Sequence, residues 1–357
     1  MDRSPILFRT EGSAERGWEP FYQCLTYAAA LQRRRRATYF LGRFEPFQIL
    51  SQIARGGSEF LAAEHALGTP EDCDATVRAI RRLNAAAVVV AAPGISTEYL
   101  RELSSTGAVV AVIDSEASVR FASRMVINPL LAPGLKAYTW ERGTQLLLGR
   151  RYAMVRSIFR RQRQVRVMEP QPPFRALLAF GDDDFSGQAL VRAQELLAAS
   201  RVDKISVAIR CHHPQYDELK ELAEQYCGRL EVITETSELS TRLPRSHFAL
   251  TAGDGWSLEM ACVGIPQFVL TQNLRHVPNA RELDEEGVAT YLGDADEVSN
   301  AKLRDAIQDL LSDQLERVGM SRCARQLIDG RGPDRMVNAL EIMLHPVKPA
   351  EEQRLAA

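Results

Sequence analysis

This chain has little lysine, little histidine and no long apolar run. Five lysines stand among its 44 basic residues, so arginine carries nearly all the positive charge. Set against 46 acidic residues this leaves a net charge of −2, which offers no broad basic field for nucleic acid. The four arginines at 33–36 and the group Arg160, Arg161, Arg163 and Arg166 are expected to be a solvated helix end and a solvated connecting segment. No stretch of about 18 apolar residues occurs, so no integral membrane segment is expected. The opening MDRSPILFRT is charged and runs straight into a strand-like segment rather than a secretory leader, and a cytoplasmic location is expected. The six cysteines are scattered without a C-x-x-C pair, so reduced, mostly buried thiols are expected rather than disulfides or a zinc site. No repeat of solenoid length is present.

What is present is an alternation of short apolar runs and amphipathic stretches over 357 residues, a length that suggests two domains. Strands are expected at 5–9, 38–41, 86–91, 108–113 and 124–127, with helices at 18–33, 44–55, 75–83 and 97–104 between them. Residues 132–173 break the alternation with Gly143, Gly149, the arginine group and Pro170-Gln-Pro-Pro173. The pattern then restarts. Strands are expected at 174–180, 204–210, 230–233, 246–252 and 267–271, and helices at 186–199, 216–226, 256–263, 277–286, 300–311, 314–328 and 335–344. Strands apolar throughout, with helices between them, indicate parallel sheets covered on both faces. The expected fold is α/β, with two doubly wound Rossmann-like domains facing a cleft: 1–135, a connecting segment 136–173, a nucleotide-binding domain 174–346, and a tail 347–357. A small interface between such domains permits closure around a ligand.

The richest motif lies at 249–273, ALTAGDGWSLEMACVGIPQFVLTQN. A strand ends in Gly253-Asp254-Gly255, a helix follows, and Gly264-Ile-Pro266 stops it before another strand. Glycines let backbone amides approach a ligand, and the helix N-terminus adds positive potential at the same point, which suits a phosphate. Glu259, one turn into the helix, is placed to grip a ribose diol. Ligands of doubly wound sheets bind at the carboxyl ends of the strands, where the turns 10–17, 181–187 and 253–255 lie.

Several segments together resemble the UDP-sugar hydrolases of pseudaminic and other nonulosonic-acid biosynthesis, relatives of the glycosyltransferases with the GT-B fold. They are Phe8-Arg-Thr-Glu-Gly-Ser13 with Gly17 and Cys24-Leu25, Val112-Ile-Asp114, Val126-Ile-Asn128, Leu148-Gly-Arg-Arg-Tyr-Ala-Met-Val-Arg156 with Phe159, Leu177-Leu-Ala-Phe-Gly181, and 251–266 with Asn273. The resemblance implies that the second domain holds UDP, with Gly253, Asp254 and Gly255 at the diphosphate and Glu259 at the ribose. Gly181 would close over the phosphate side and Asn273 would sit near the sugar or pyrophosphate. Arg275 is a candidate diphosphate clamp, because a guanidinium matches phosphate geometry, and His276 could face the cleft.

The chain departs from the resembled pattern where the chemistry belongs. Pro20 stands where that family has a histidine thought to act as general base, and Val90-Ala-Ala-Pro93 replaces an expected aspartate. Glu19 is therefore a candidate base, or an acid at a helix start. Glu11 is a candidate for sugar hydroxyls, or a turn residue. Asp114 is either ligand-facing or a structural hydrogen-bond acceptor. Asp182, Asp183 and Asp184 are open to a divalent cation but are expected to cap a helix, and His212-His213 is expected to be a loop. No metal and no other cofactor is expected. Three activities follow: hydrolysis of a nucleotide sugar at the anomeric carbon, glycosyl transfer on the same fold, or binding without turnover. The expected partner is a UDP-sugar, with no nucleic acid, and the expected state is a monomer or weak dimer.

Overall fold

The computed structural model describes residues 4–181, 183, 184, 186–198 and 201–345, so Asp182 and the tail expected at 347–357 lie outside the described residues. Fifteen strands are present among them: β1 Ile6–Thr10, β2 Thr38–Gly42, β3 Glu59–Ala62, β4 Ala87–Ala91, β5 Val109–Ile113, β6 Arg120–Phe121, β7 Met125–Asn128, β8 Thr139–Trp140, β9 Gln145–Leu148, β10 Arg175–Ala179, β11 Lys204–Ala208, β12 Leu230–Ile233, β13 Phe248–Thr251, β14 Gln267–Thr271 and β15 Ala289–Asp294. They form a seven-stranded sheet in the order β3-β2-β1-β4-β5-β7-β9, a six-stranded sheet in the order β12-β11-β10-β13-β14-β15, and a β6-β8 pair. The two large sheets are built from parallel pairings. The fold is α/β with two doubly wound sheets.

Central strands β1, β4 and β14 are buried along their whole length, as the apolar runs require of strands covered on both faces. Each sheet therefore has a separate core on each face. Phe8, Phe21, Phe40 and Tyr27 fill one face of the first sheet, and Phe8 stacks on Phe40 with ring centroids 4.9 Å apart. Edge strand β3 is half-exposed, which is why its sequence carries no strong strand signal.

Two segments depart from the expected division. Within the stretch expected to connect the halves, β9 pairs with β7 and completes the first sheet. The last helix, Gly332–Leu344, expected with the second half, returns to the first: Met336, Val337 and Leu340 sit in its core, and Tyr27 Oη donates to the Met336 carbonyl. Three of the arginines at 33–36 make this return, although Arg33, Arg34 and Arg35 are exposed as a solvated helix end would be. Arg36, buried, donates to both carboxylate oxygens of Glu341 at 2.9 and 2.8 Å and to the Ser4 carbonyl. Arg33 pairs with Asp334 and Arg34 with Asn338.

In the second arginine group Arg161 is exposed, as expected, whereas Arg163 and Arg166 are structural. Arg163 donates to the carbonyls of Cys262, Ile328 and Arg325. Arg166, buried, donates to those of Gly264, Pro244 and Ser246. These carbonyls sit at or just beyond helix ends, where they lack intrahelical partners. A guanidinium satisfies several of them at once, which lysine cannot do with the same fixed geometry. Among the described residues, no helix is long and apolar enough to cross a membrane.

The tie between Arg36 and Glu341 gives a direct test of this return. Arg36→Ala should cost about 3 kcal/mol in chemical denaturation, because it strands a carboxylate and a carbonyl. It should also expose the last helix to limited proteolysis. Unchanged stability would show that apolar packing alone holds the helix.

Candidate functional site

The two topological switch points, β1/β4 and β10/β13, face each other across a cleft. The loop after β1 passes under the loop after β10. Gly17 there has a positive φ of 81°, and a Cβ on it would lie 2.7 Å from Asp183 Oδ2, so only glycine fits. The next amide, Trp18 N–H, donates to Asp183 Oδ1 at 2.7 Å. It opens the helix Glu19–Gln32, whose first turn carries Pro20, a residue suited to that position because no amide partner is needed there.

Glu19 reaches the opposite way. Its carboxylate lies 3.3 Å from His276 Nε2 and 3.5 Å from an Arg275 guanidinium nitrogen, and it faces Gly255, where an added Cβ would lie 3.8 Å from Glu19 Oε1. Arg275 in turn donates to Asp183 Oδ2 at 3.0 Å. Burial works against the charge on Glu19, but His276, Arg275 and the Gly255 amide outweigh it and hold the carboxyl at about 2. Burial likewise works against a charged His276, yet its bond to Glu19 wins and raises it above its ordinary value. In this arrangement Glu19 is fully ionised at neutral pH and a poor proton acceptor.

The Gly253-Asp254-Gly255 turn is organised from within. Asp254 caps the helix Gly255–Val263, accepting from Trp256 N–H at 3.1 Å and Ser257 N–H at 3.3 Å. Gly253 N–H donates to Ser257 Oγ at 2.9 Å. Gly181 makes room for that cap, since a Cβ on it would collide with the Asp254 carboxylate. Asn273 accepts from the Arg275 amide at 3.0 Å and so fixes the short turn that presents Arg275 and His276.

Three neighbouring chambers lie along the cleft, each sharing wall residues with the next. The largest, about 780 Å³, is walled by Tyr22, Arg156, Ile158, Arg210 and Thr236. A narrow throat between Tyr22, Arg156, Arg210, Gly255, Trp256 and Glu259 follows. The third, about 260 Å³, is lined by Glu19, Asp183, Ser186, Asp254, Asn273, Arg275 and His276. Arg210 lies 3.9 Å above the Tyr22 ring, and Arg156 4.5 Å above that of Trp256.

The candidate residues thus separate. Glu19, Asp254, Gly255, Asn273 and Arg275 come together, and Gly181 supports them from behind the cap. Glu259 lies in the throat, where Arg156 holds both of its oxygens at 2.9 and 2.5 Å and adds its own amide. Glu11 lies elsewhere, buried among Arg9, Arg16 and Arg43, with Arg9 also bound to Asp72 at 2.7 Å. Asp114 shapes the turn after β5 by accepting from the amides of Glu116 and Ala117, and burial raises its pKa. Neither Glu11 nor Asp114 lines the three chambers. Asp184 caps the helix Gln188–Ala198 through the amides of Gln188 and Ala189, with His213 3.4 Å away. Among the described residues, no group of three or more His, Cys, Asp or Glu side chains is set for a metal ion.

Sequence reasoning assigned no role to Arg156 or to Asn279. Asn279, fully buried, donates to the Gly253 carbonyl at 2.6 Å and accepts from the Leu131 amide of the first half at 2.8 Å. The one local signal was a polar residue in the first turn of the helix after His276.

The Glu19–His276 pair makes the cleft sensitive to pH. A lowered carboxyl stabilises above its ordinary 4.5 and loses that contribution as pH falls toward about 2. A raised histidine stabilises fully below its ordinary 6.5 and loses that contribution as pH rises through its raised value. Glu19→Gln should therefore cost about 2–3 kcal/mol between about pH 4.5 and 6.5, and less at higher pH. Denaturation of both proteins across pH 5–9 checks this, and a constant difference would exclude a charged His276.

No family profile matches the chain. The spore coat polysaccharide biosynthesis protein SpsG of Bacillus subtilis (strain 168) is 25% identical over 111 residues, 31% of this chain, and the match spans only about a third of that protein (33%). Acinetobacter baumannii MurG superposes with a TM-score of 0.64 at 13% identity, covering 94% of this chain and 99% of that one. CalG4, the calicheamicin glycosyltransferase, gives 0.62 at 14% identity over 97% of this chain and 100% of that one. The S. aureus MnaA–UDP co-structure gives 0.62 at 12% over 97% and 99%. These likenesses show the fold, which is that of GT-B glycosyltransferases.

Proposed function

We propose that the chain binds a UDP-sugar in this cleft and acts on the bond between the anomeric carbon and the diphosphate. The observation that carries the reading is the Gly255 helix N-terminus, aimed into the cleft with Arg275 and His276 beside it. It offers an amide, a guanidinium and an imidazole to one anion. The UDP co-structure of a protein with the same fold supports the choice of nucleotide. The nucleoside would occupy the large chamber beside Tyr22 and Arg210, the ribose would reach Glu259 in the throat, and the sugar would fill the chamber around Asn273.

Hydrolysis is the leading reaction. Water oxygen bonds the anomeric carbon, and the bond from that carbon to the diphosphate oxygen breaks with its electron pair leaving on UDP. The water proton goes to a base, for which Glu19, once released from His276 and Arg275, is the candidate within the sugar chamber. Arg275 and His276 would stabilise the charge on the departing diphosphate. Transfer to an acceptor hydroxyl is the second reading. Leu274, 83% exposed between the chamber-lining Asn273 and Arg275, favours it by offering an acceptor an apolar contact.

Calorimetric titration with UDP, against GDP and NAD, tests the binding. UDP should bind selectively, and Arg275→Ala should weaken it about 10–100-fold, the loss of a charged hydrogen bond to phosphate. Equal binding of all three nucleotides, or no effect of Arg275→Ala, would sink the reading. UDP release from a UDP-sugar in water alone identifies a hydrolase, release only with an acceptor a transferase, and binding without release a non-catalytic protein.

A further inference from the structure

The anion site at Gly255 is already engaged by the chain itself. Glu19 belongs to the first half, yet its carboxylate engages His276 Nε2 and Arg275 and faces the Gly255 helix start, all from the second. Within the turn the other amides are spent internally, Gly253 on Ser257 and both Trp256 and Ser257 on Asp254. The donors that Glu19 holds are therefore the ones a phosphate needs. A second observation points the same way. His276 is 5% exposed and lines the chamber, and its buried Nδ1 finds no hydrogen-bond partner among the described residues. A carboxylate engages one ring nitrogen and leaves the other without a bond. A larger anion with more oxygens can serve the site more fully.

We infer that Glu19 is a built-in substitute for a ligand phosphate, and that a nucleoside diphosphate enters by displacing its carboxylate from His276 and Arg275 at the Gly255 helix start. This rests on the reading that the nucleotide binds at this turn. Asp183 and Asp254 already stand in the same chamber, so a diphosphate cannot share the site with a third carboxylate at contact distance. Displacement breaks the bridge between the halves at the moment the ligand arrives. It also returns Glu19 to an ordinary carboxylate beside the sugar chamber. The protein thus keeps its cleft closed with a weak internal anion and exchanges it for a stronger external one.

The test reverses the sign that a simple binding residue would give. Glu19→Gln removes the competing charge, so UDP and inorganic pyrophosphate should bind about tenfold more tightly than to the wild type, or better. Uridine, which has no phosphate, should bind both proteins alike. Glu19→Ala should show the same gain, so a folding defect in one variant, seen by circular dichroism, does not decide the matter. UDP binding that is unchanged or weaker in both variants overturns the inference while leaving the nucleotide site standing, and so does an equal gain for uridine. If neither the wild type nor the variants bind UDP, the nucleotide reading itself falls and takes this inference with it.

Discussion

Two helix N-termini face each other across the cleft, and each receives a carboxylate from the opposite half. Asp183 takes the amide of Trp18 at the start of the helix Glu19–Gln32, and Glu19 lies at the start of the helix Gly255–Val263, bound to His276 beside it. A helix N-terminus is a site of positive potential with unpaired donors, so an anion placed there is favourable on both counts. Exchanging the anions between halves turns two local capping problems into one long-range bond. Arg275 joins the two exchanges by touching both carboxylates. The relative position of the sheets, and hence the shape of the chambers, depends on this arrangement.

The rest of the molecule is built to hold the two sheets in register for that exchange. The final helix returns to the first half and is tied there through Arg33, Arg34 and Arg36. The connecting segment is tied to the second half through Arg163 and Arg166. In both places arginine does what no apolar contact does: it satisfies carbonyls and carboxylates that would otherwise be buried without partners. The scarcity of lysine is thus a structural feature of this chain, because many of its cations are engaged in fixed, multi-point bonds. Arg156 extends the same device into the cleft by holding Glu259.

The ion pairs in the cleft also constrain its chemistry. A carboxylate held at about 2 is a stable anion rather than a base, and that carboxylate favours the charged form of the histidine beside it. The cleft in this state is a charge-neutralised closed site. It has strong donors for phosphate and carboxylates on the opposing side, so binding must be an exchange of partners. The energetic cost of entry is correspondingly moderated, because the donors change anions without passing through water.

The sequence by itself determined the fold class and most of the central strands and helices, but not β3, β9 or β15. Apolar runs such as 86–91 and 267–271 have to be buried on both faces, and the glycines around 253–255 force a turn at a strand end. It also marked residues that come together in one chamber, including Glu19, Asn273 and Arg275. Partnership is what it could not carry. Glu19 and His276 are 257 residues apart, and Trp18 and Asp183 are 165 apart, so no local spacing encodes either contact. The same holds for Glu259, whose place one turn into its helix was legible, while its partner Arg156 comes from the connecting segment. Glu11, Asp114 and Asp184 read locally as acids at turns, and only packing decided which acids would serve a turn, a helix cap or an ion cluster and which would enter the cleft. Local structure follows from spacing and propensity. The assignment of buried charges follows from which carboxylate meets which donor when two sheets close, and that is a property of the tertiary structure alone.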